Sequence, residues 1–331
     1  MKNKERIHWI DMLKGFAMIT VIYCHNFPVI NDYIYSFHMP LFFLLAGIFH
    51  KKSELENLKK NILERVRIII IPYYLWGGIL FVFWFFVGRH FGDSKEKNLS
   101  AIENFIGLIC GQGGENYMDW GIPIWFLPCV FVTFLIYTIV DFLPNKKIKL
   151  LSVLALSILG YFISDFFDWY FWSFDVSLVA IFFYGFGQLL KERFIKFDIP
   201  LYVNLILSVV FLLGMNYTFK VDMYQSEYGG NLLLFYSNAI CAILILISIF
   251  KRLPLLNFLI FIGRNTIVYL ATQIRILTII KAVLFFGIGM SVFHFTEAQK
   301  ILITMIQAIL IVPVVYFINS FFPILNARNK R

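Results

Sequence analysis

Three ionisable residues interrupt one apolar run: Asp11, Lys14 and His25 in "DMLKGFAMITVIYCH". A charge at the centre of a bilayer costs about 3 kcal/mol, so such residues are rare in lipid and usually functional. A helix turns roughly 100° per residue, so the eleven residues from Lys14 to His25 come back to within roughly 20° of one face, about 16 Å apart along the axis. Asp11 stands three residues before Lys14, placed for an i, i+3 ion pair. After a short turn, His38 in "YSFHMPLFFLLAGIF" enters the next helix on the side where His25 leaves the first. Imidazole titrates near neutral pH, and two of them at one corner suit proton transfer. A His pair also suits a metal ion, but no third ligand stands at a convincing spacing, so no metal is expected. Further on, "LKKNILERVRIIIIPYY" sets Arg65 and Arg67 after Lys59 and Lys60. Arginine forks match phosphate oxygens, and the same residues also serve as a topology signal. The chemistry these residues suggest is acid–base catalysis served by a phosphate-bearing donor.

The elements that must hold them are membrane helices. The chain of 331 residues is 60% hydrophobic and 15% charged, against about half and a quarter in soluble domains, so it reads as a polytopic membrane protein. Its net charge of +9 comes in short clusters between apolar runs, which fits topology signals and an anionic lipid surface and not nucleic acid. Cys24, Cys110, Cys129 and Cys241 lie in or beside apolar segments without paired spacing and read as small core residues. The first apolar run lacks a cleavage site and continues as a span. A hydrocarbon core needs roughly 20 helical residues, and spans are expected near 7–27, 37–50, 66–90, 121–143, 149–165, 174–190, 200–219, 231–250, 261–287 and 300–322. With the N-terminus inside, most lysines and arginines fall on cytoplasmic segments, among them Lys2, Lys4 and Arg6, Lys146 and Lys147, and Lys330 and Arg331. The expected fold is an all-α integral membrane bundle of about ten transmembrane helices with both termini cytoplasmic, one domain over 1–331. One outer loop, about 91–120, is long, and its "LSAIENFIGLIC" reads as an amphipathic helix.

Taken together these blocks resemble the acyltransferase-3 family of membrane enzymes that O-acylate bacterial cell-surface sugars. The resemblance lies in Lys14 and His25 as a basic residue, ten residues and a His, in Asp11, and in "SFHMPLFFLLAGIF" at 36–49 and "RVRIIIIPYY" at 65–74. It continues through "PIWFLPCVF" at 123–131, "FYGFGQLLK" at 183–191 and "IGRNTIVYLATQ" at 262–273. It implies that a short acyl group passes from acyl-CoA, acetyl-CoA foremost, on the cytoplasmic side to a hydroxyl of an envelope sugar or glycolipid, in a multi-pass protein of the bacterial cytoplasmic membrane. It also implies His25 as the catalytic residue and Arg65 and Arg67 as donor-binding or catalytic. Ala46 and Gln273 depart from the family pattern, where many members have Ser and His, and the chain stops at Arg331 without an appended outer esterase-like domain.

On this reading His25 is general base or transient acyl carrier and His38 its proton partner or an acceptor-positioning group. Asp11 and Lys14 form a buried pair shaping the donor channel, with Lys14 also on the donor's path. Several residues are open to a bland reading as well as a functional one. Asp165, Asp168 and Asp175 with Trp169 and Trp172 suit a sugar or an interfacial belt. Arg275 and Lys281 line a cavity or snorkel, Trp125 is belt or core, and Glu115 and Asp119 stand in the long loop. The competing function is a polytopic transporter or flippase. Polar residues concentrate in the first three spans without a counterpart in the second half, which favours the enzyme.

Overall fold

Where no water can reach, every backbone N–H and C=O must be satisfied within the segment, and apolar runs of this length can do so only as helices. A computed structural model describes residues 7–52, 54–90, 92–114, 116–290 and 293–328. Lys2, Lys4, Arg6, Glu115, Lys330, Arg331 and the side chain of Asp119 lie outside the described residues. Helix makes up 77% of the structure, which settles the class as all-α. In chain order the helices are α1 (His8–Cys24), α2 (Asn31–Tyr35), α3 (His38–Ile48), α4 (Leu55–Arg65), α5 (Ile71–Phe86), α6 (Gly92–Glu96), α7 (Ala101–Cys110) and α8 (Phe126–Asp141). They continue with α9 (Lys146–Ile163), α10 (Phe174–Leu189), α11 (Lys191–Lys196), α12 (Leu201–Met215), α13 (Leu232–Arg252), α14 (Asn257–Gly263), α15 (Thr266–Ile288) and α16 (Glu297–Phe321). A small antiparallel hairpin, β1 (Val221–Asp222) with β2 (Glu227–Tyr228), lies between α12 and α13.

Among the described residues six helical stretches are long and apolar enough to cross a membrane: Leu55–His90, Trp120–Asp141, Phe171–Leu189, Leu232–Arg252, Thr266–Gly287 and Glu297–Phe321. This is a multi-pass membrane protein. Expected runs elsewhere fall on shorter or more charged helices: α1 has 17 residues, α3 has 11, α12 has 15, and α9 opens on Lys146, Lys147 and Lys149. The run expected at 261–287 is broken between Gly263 and Thr266, where Asn265 turns its side-chain amide back onto the carbonyl of Phe261 (2.6 Å). The run expected to begin at 66 begins instead at Leu55, because α4 and α5 are joined through a π-helical turn at Val66–Ile70. Pro72 lacks the N–H that an α-helical register would use there, and a widened turn accommodates it. The segment "LSAIENFIGLIC" does fold as α7, capped by Ser100 accepting from the N–H of Glu103 (3.3 Å), with Ile102, Phe105, Ile106 and Ile109 exposed.

The chain divides into two compact units, each built from two chain segments: Met1–Leu45 with Leu190–Val315, and Ala46–Leu189 with Tyr316–Arg331. In the first, α1 packs along α14, because Gly15 and Gly263 bare the backbone. A Cβ on Gly15 would strike the carbonyl of Leu259, and one on Gly263 would strike that of Asp11. Small residues at a crossing let two helix backbones touch where lipid offers no hydrophobic drive. Phe16 meets Phe250 of α13 at 5.3 Å, and Ile10, Met12, Leu13, Ala17 and Ile22 are fully buried. A helix of 17 residues enclosed in this way does not need the length of one facing lipid. In the second unit α8, α9, α10 and the π turn share a core of Ile70, Phe131, Phe134, Tyr137, Val140, Val153, Ile181 and Tyr184.

Candidate active site

Each end of α1 is fixed by residues far away in sequence. At the Asp11 end, Asp11 is buried and Arg264, between α14 and α15, donates to its carboxylate through Nε (2.9 Å). Arg264 also donates to Nδ1 of His8 (3.3 Å), and Lys251 sits over the ring of Trp9 at 5.6 Å. Arg264 is a partner of Asp11 that spacing along one helix does not reveal, since nothing in a single sequence links two residues 253 positions apart. Lys14 is half-buried on the same unbroken helix that ends at His25, so the eleven-residue register between them is kept.

At the other end His25 caps α1, its backbone N–H donating to the carbonyl of Val21 (3.3 Å). Its ring is half-buried and makes no hydrogen bond among the described residues. The residues beside it are tied down. Nδ2 of Asn26 donates to Oγ1 of Thr304 (3.0 Å), Oε1 of Gln307 (2.8 Å) and the carbonyl of Ile22 (3.2 Å). The hydroxyl of Tyr23 donates to Glu297 (3.0 Å), which also accepts from the N–H of Val29 (3.3 Å). Lys300 donates to the carbonyl of Phe27 (2.7 Å). The first turns of α16 thus strap residues 23–29, with Phe27 held at φ 52°. His38 is buried at the start of α3, and its Nδ1–H donates to the carbonyl of Ile34 (2.8 Å). A carbonyl only accepts, so the proton sits on Nδ1 and Nε2 is left as the basic nitrogen. The edge of Tyr35 packs on this ring (4.9 Å between centroids), and the two imidazoles lie within electrostatic range of each other. The structure therefore brings His25 and His38 together.

Sequence reasoning missed one carboxylate here. Asp222, on β1, is half-buried, its Oδ1 accepting from the N–H of Tyr224 (2.9 Å), and desolvation pushes its carboxyl up to about 6. Gln273, where many members of the resembling family have His, is fully buried on α15. Neither atom of its amide finds a partner among the described residues, while its carbonyl accepts from Gln307 (3.1 Å).

In the second unit the two arginines part company. Arg65 lies over Phe134 (5.2 Å) and donates to the carbonyl of Phe49 (3.4 Å). With Lys51, Asn61, Glu64, Ile68 and Thr138 it lines a pocket. Arg67 is exposed and does not line it, since residues two apart on a helix face away from each other. Beside that pocket is a buried polar cluster that the sequence reading did not single out. His50 bonds the hydroxyl of Tyr184 through Nδ1 (2.9 Å) and approaches Asp141 through Nε2 (3.5 Å), and Lys149 donates to Asp141 (2.6 Å). The only signal for it was an ionisable residue closing each of two apolar runs. Of the aromatic and acidic residues near 165–175, Asp175 is buried, Asp165 and Asp168 are exposed, and the indole of Trp172 donates to the carbonyl of Ile109 (3.1 Å). Trp125 is buried, as a core residue would be, and Lys281 lies over Phe293 at 5.7 Å.

Residues 7–324 match the family described as an acyltransferase domain. The chain belongs to the acyltransferase-3 family. Comparison with curated proteins and with solved structures finds no match. Because the family match runs from α1 past the end of α16, it takes in both units of this acyltransferase, and it does not favour a transporter. An acyltransferase needs a base for the incoming nucleophile and donors for the oxyanion that forms.

Proposed function

We propose that this acyltransferase is a membrane O-acyltransferase that moves a short acyl group, acetyl in the first instance, from acyl-CoA to a hydroxyl of a cell-envelope sugar or glycolipid. The observation that carries this reading is the ring of His25: half-buried, without a hydrogen bond among the described residues, on a tightly strapped backbone beside His38. A general base must keep a lone pair unengaged until substrate arrives. His25 takes the proton of the acceptor hydroxyl as its oxygen attacks the thioester carbonyl. The C–S bond then breaks, and the leaving thiolate takes the proton back from the imidazolium as CoA–SH. His38 holds the acceptor or shares the proton, while Asp11 and Lys14 shape the donor's path. Arg65, with Lys51 beside it, binds donor phosphates, Arg67 being a weaker contributor because it is exposed. We place the chain in a bacterial cytoplasmic membrane with about ten helices crossing or buried in it and both termini inside, the donor arriving from the cytoplasm.

The test is incorporation of radiolabelled acetyl from acetyl-CoA into envelope glycan by membranes carrying the protein. His25→Ala is expected to abolish incorporation at an unchanged protein level. Normal incorporation by that variant would end the proposal.

A further inference from the structure

The hairpin β1–β2 has no counterpart in the apolar pattern of the chain, yet it docks a carboxylate against the segment that carries the imidazole pair. Val221 pairs with Tyr228 and Asp222 with Glu227. The N–H of Val221 donates to Oδ1 of Asp32 (3.3 Å), which docks the strand on α2, the short helix that leads into His38. Val221, Met223 and Tyr228 are buried around the turn, and Tyr228 packs on Phe235 at 5.4 Å, so the hairpin is seated and does not trail in solvent. The Asp222 carboxyl is held by the backbone N–H groups of Tyr224 and Gln225. The charged and titratable groups facing it are Glu227 on the partner strand, Cys24 at the end of α1, and Tyr35 on α2. Cys24 is the residue before His25, and Tyr35 is the residue whose ring packs on His38. A docked hairpin whose backbone holds the carboxylate is a large structural investment for one half-buried acid.

We infer that Asp222 is a positioning residue of the acyl-transfer site, supplying the countercharge for the imidazolium that forms at the His25–His38 pair. The inference rests on the proposed reaction at His25. When His25 takes the hydroxyl proton, a positive charge appears in a half-buried place, and a carboxylate facing the residues next to the two imidazoles stabilises that state more than the neutral resting one. Asp222 neither gains nor loses a proton in the cycle. It acts on the transition state through its charge and so changes turnover more than donor affinity.

The experiment has two arms on the full chain in lipid vesicles or membranes. The first follows the ring nuclei of His25 and His38 by NMR on histidine-labelled protein, wild type and Asp222→Asn, as pH is varied. Removal of the countercharge is expected to shift their titration to lower pH. The second measures incorporation of radiolabelled acetyl from acetyl-CoA into membrane glycan. Asp222→Asn is expected to slow it about 10- to 100-fold at saturating donor with KM for acetyl-CoA unchanged, the range expected for one charge acting at effective dielectric ~20. Asp222→Glu, which keeps the charge, is expected to recover most of the rate, and Glu227→Gln on the partner strand to leave it unchanged. The Asn variant removes a half-buried charge and is expected to fold at least as well as wild type. Unchanged histidine titration, or an unchanged rate in Asp222→Asn, overturns the inference. A wild-type protein that incorporates no label while the titration does shift overturns the acyl-transfer reading and leaves the charge coupling standing.

Discussion

Asn26 is the residue on which the rigidity of the His25 corner most depends, and replacing it makes a quantitative test. Its side chain is buried and gives hydrogen bonds to Thr304 (3.0 Å) and Gln307 (2.8 Å) on α16, 278 and 281 positions away. Asn26→Leu keeps the volume and removes both donors. Each lost bond is worth about 1 kcal/mol net, and Oε1 of Gln307, itself fully buried, is left without its donor at about 1–3 kcal/mol. The expected loss of stability is therefore about 2–4 kcal/mol, measured as unfolding in mixed detergent micelles followed by tryptophan fluorescence. The double variant Asn26→Leu with Gln307→Leu replaces both partners by apolar groups, so it should cost at least ~1 kcal/mol less than the sum of the single changes. Incorporation of label by Asn26→Leu should fall through kcat, since a displaced His25 still leaves the donor bound. A single variant within ~0.5 kcal/mol of wild type, or strict additivity in the double, would refute the reasoning that this amide straps the site.

Other expectations follow from the same geometry. Arg65→Ala should raise KM for acetyl-CoA severalfold in the incorporation assay, while Arg67→Ala, which removes an exposed side chain off the pocket, should change it less than twofold. Gly263→Ala places a Cβ against the carbonyl of Asp11, so α1 and α14 must separate. A loss of about 1–3 kcal/mol in the same unfolding measurement is expected, and a neutral change would contradict the close crossing. Asp222 holds its proton up to about 6 in the folded chain against 3.8 when unfolded. Between those values the folded state binds more protons, so stability is greatest below pH ~4 and falls, by on the order of 3 kcal/mol, as pH rises through 6. Asp222→Asn should abolish that slope in unfolding measured across pH 4–8.

The parts of this site that a single sequence reveals are those carried by one helix or one turn. Lys14 and His25 share a stripe because helix geometry alone fixes an eleven-residue spacing, and α1 runs unbroken between them. His38 comes near His25 because the connection between their helices is short. Arg264 and Asp222 were not legible. Each reaches the first helices across more than 180 residues, and each looks locally like something ordinary, a topology charge and a loop acid. The same holds for His50 and Asp141, which close two apolar helices and meet only because α3 and α8 end together. Helix ends were misjudged where hydropathy is silent: Leu55–Arg65 is polar enough to read as a loop, yet it continues through a π turn into α5. Burial also changes the length rule, since α1 is sheathed by α13, α14 and α15 and so falls short of a lipid-facing span.

The way α1 is held has a consequence for catalysis. Its Asp11 end is clamped by Arg264 and by the glycine crossing with α14, and its His25 end by Glu297, Thr304 and Gln307. A helix of 17 residues is about 25 Å long and does not stretch, so the separation of about 16 Å between Lys14 and His25 is set by covalent geometry and cannot adapt to the ligand. The adaptable parts are the side chains of Lys14 and His25, both half-buried, on a backbone anchored on each side. On the reaction proposed for His25, holding its backbone in place before substrate binds removes an orientation cost from the chemical step. A clamped backbone also explains why so much hydrogen bonding is gathered around His25 while, among the described residues, its ring has none. The hydrogen bonding is spent on the frame, which leaves the nitrogen lone pair open for the proton transfer we propose.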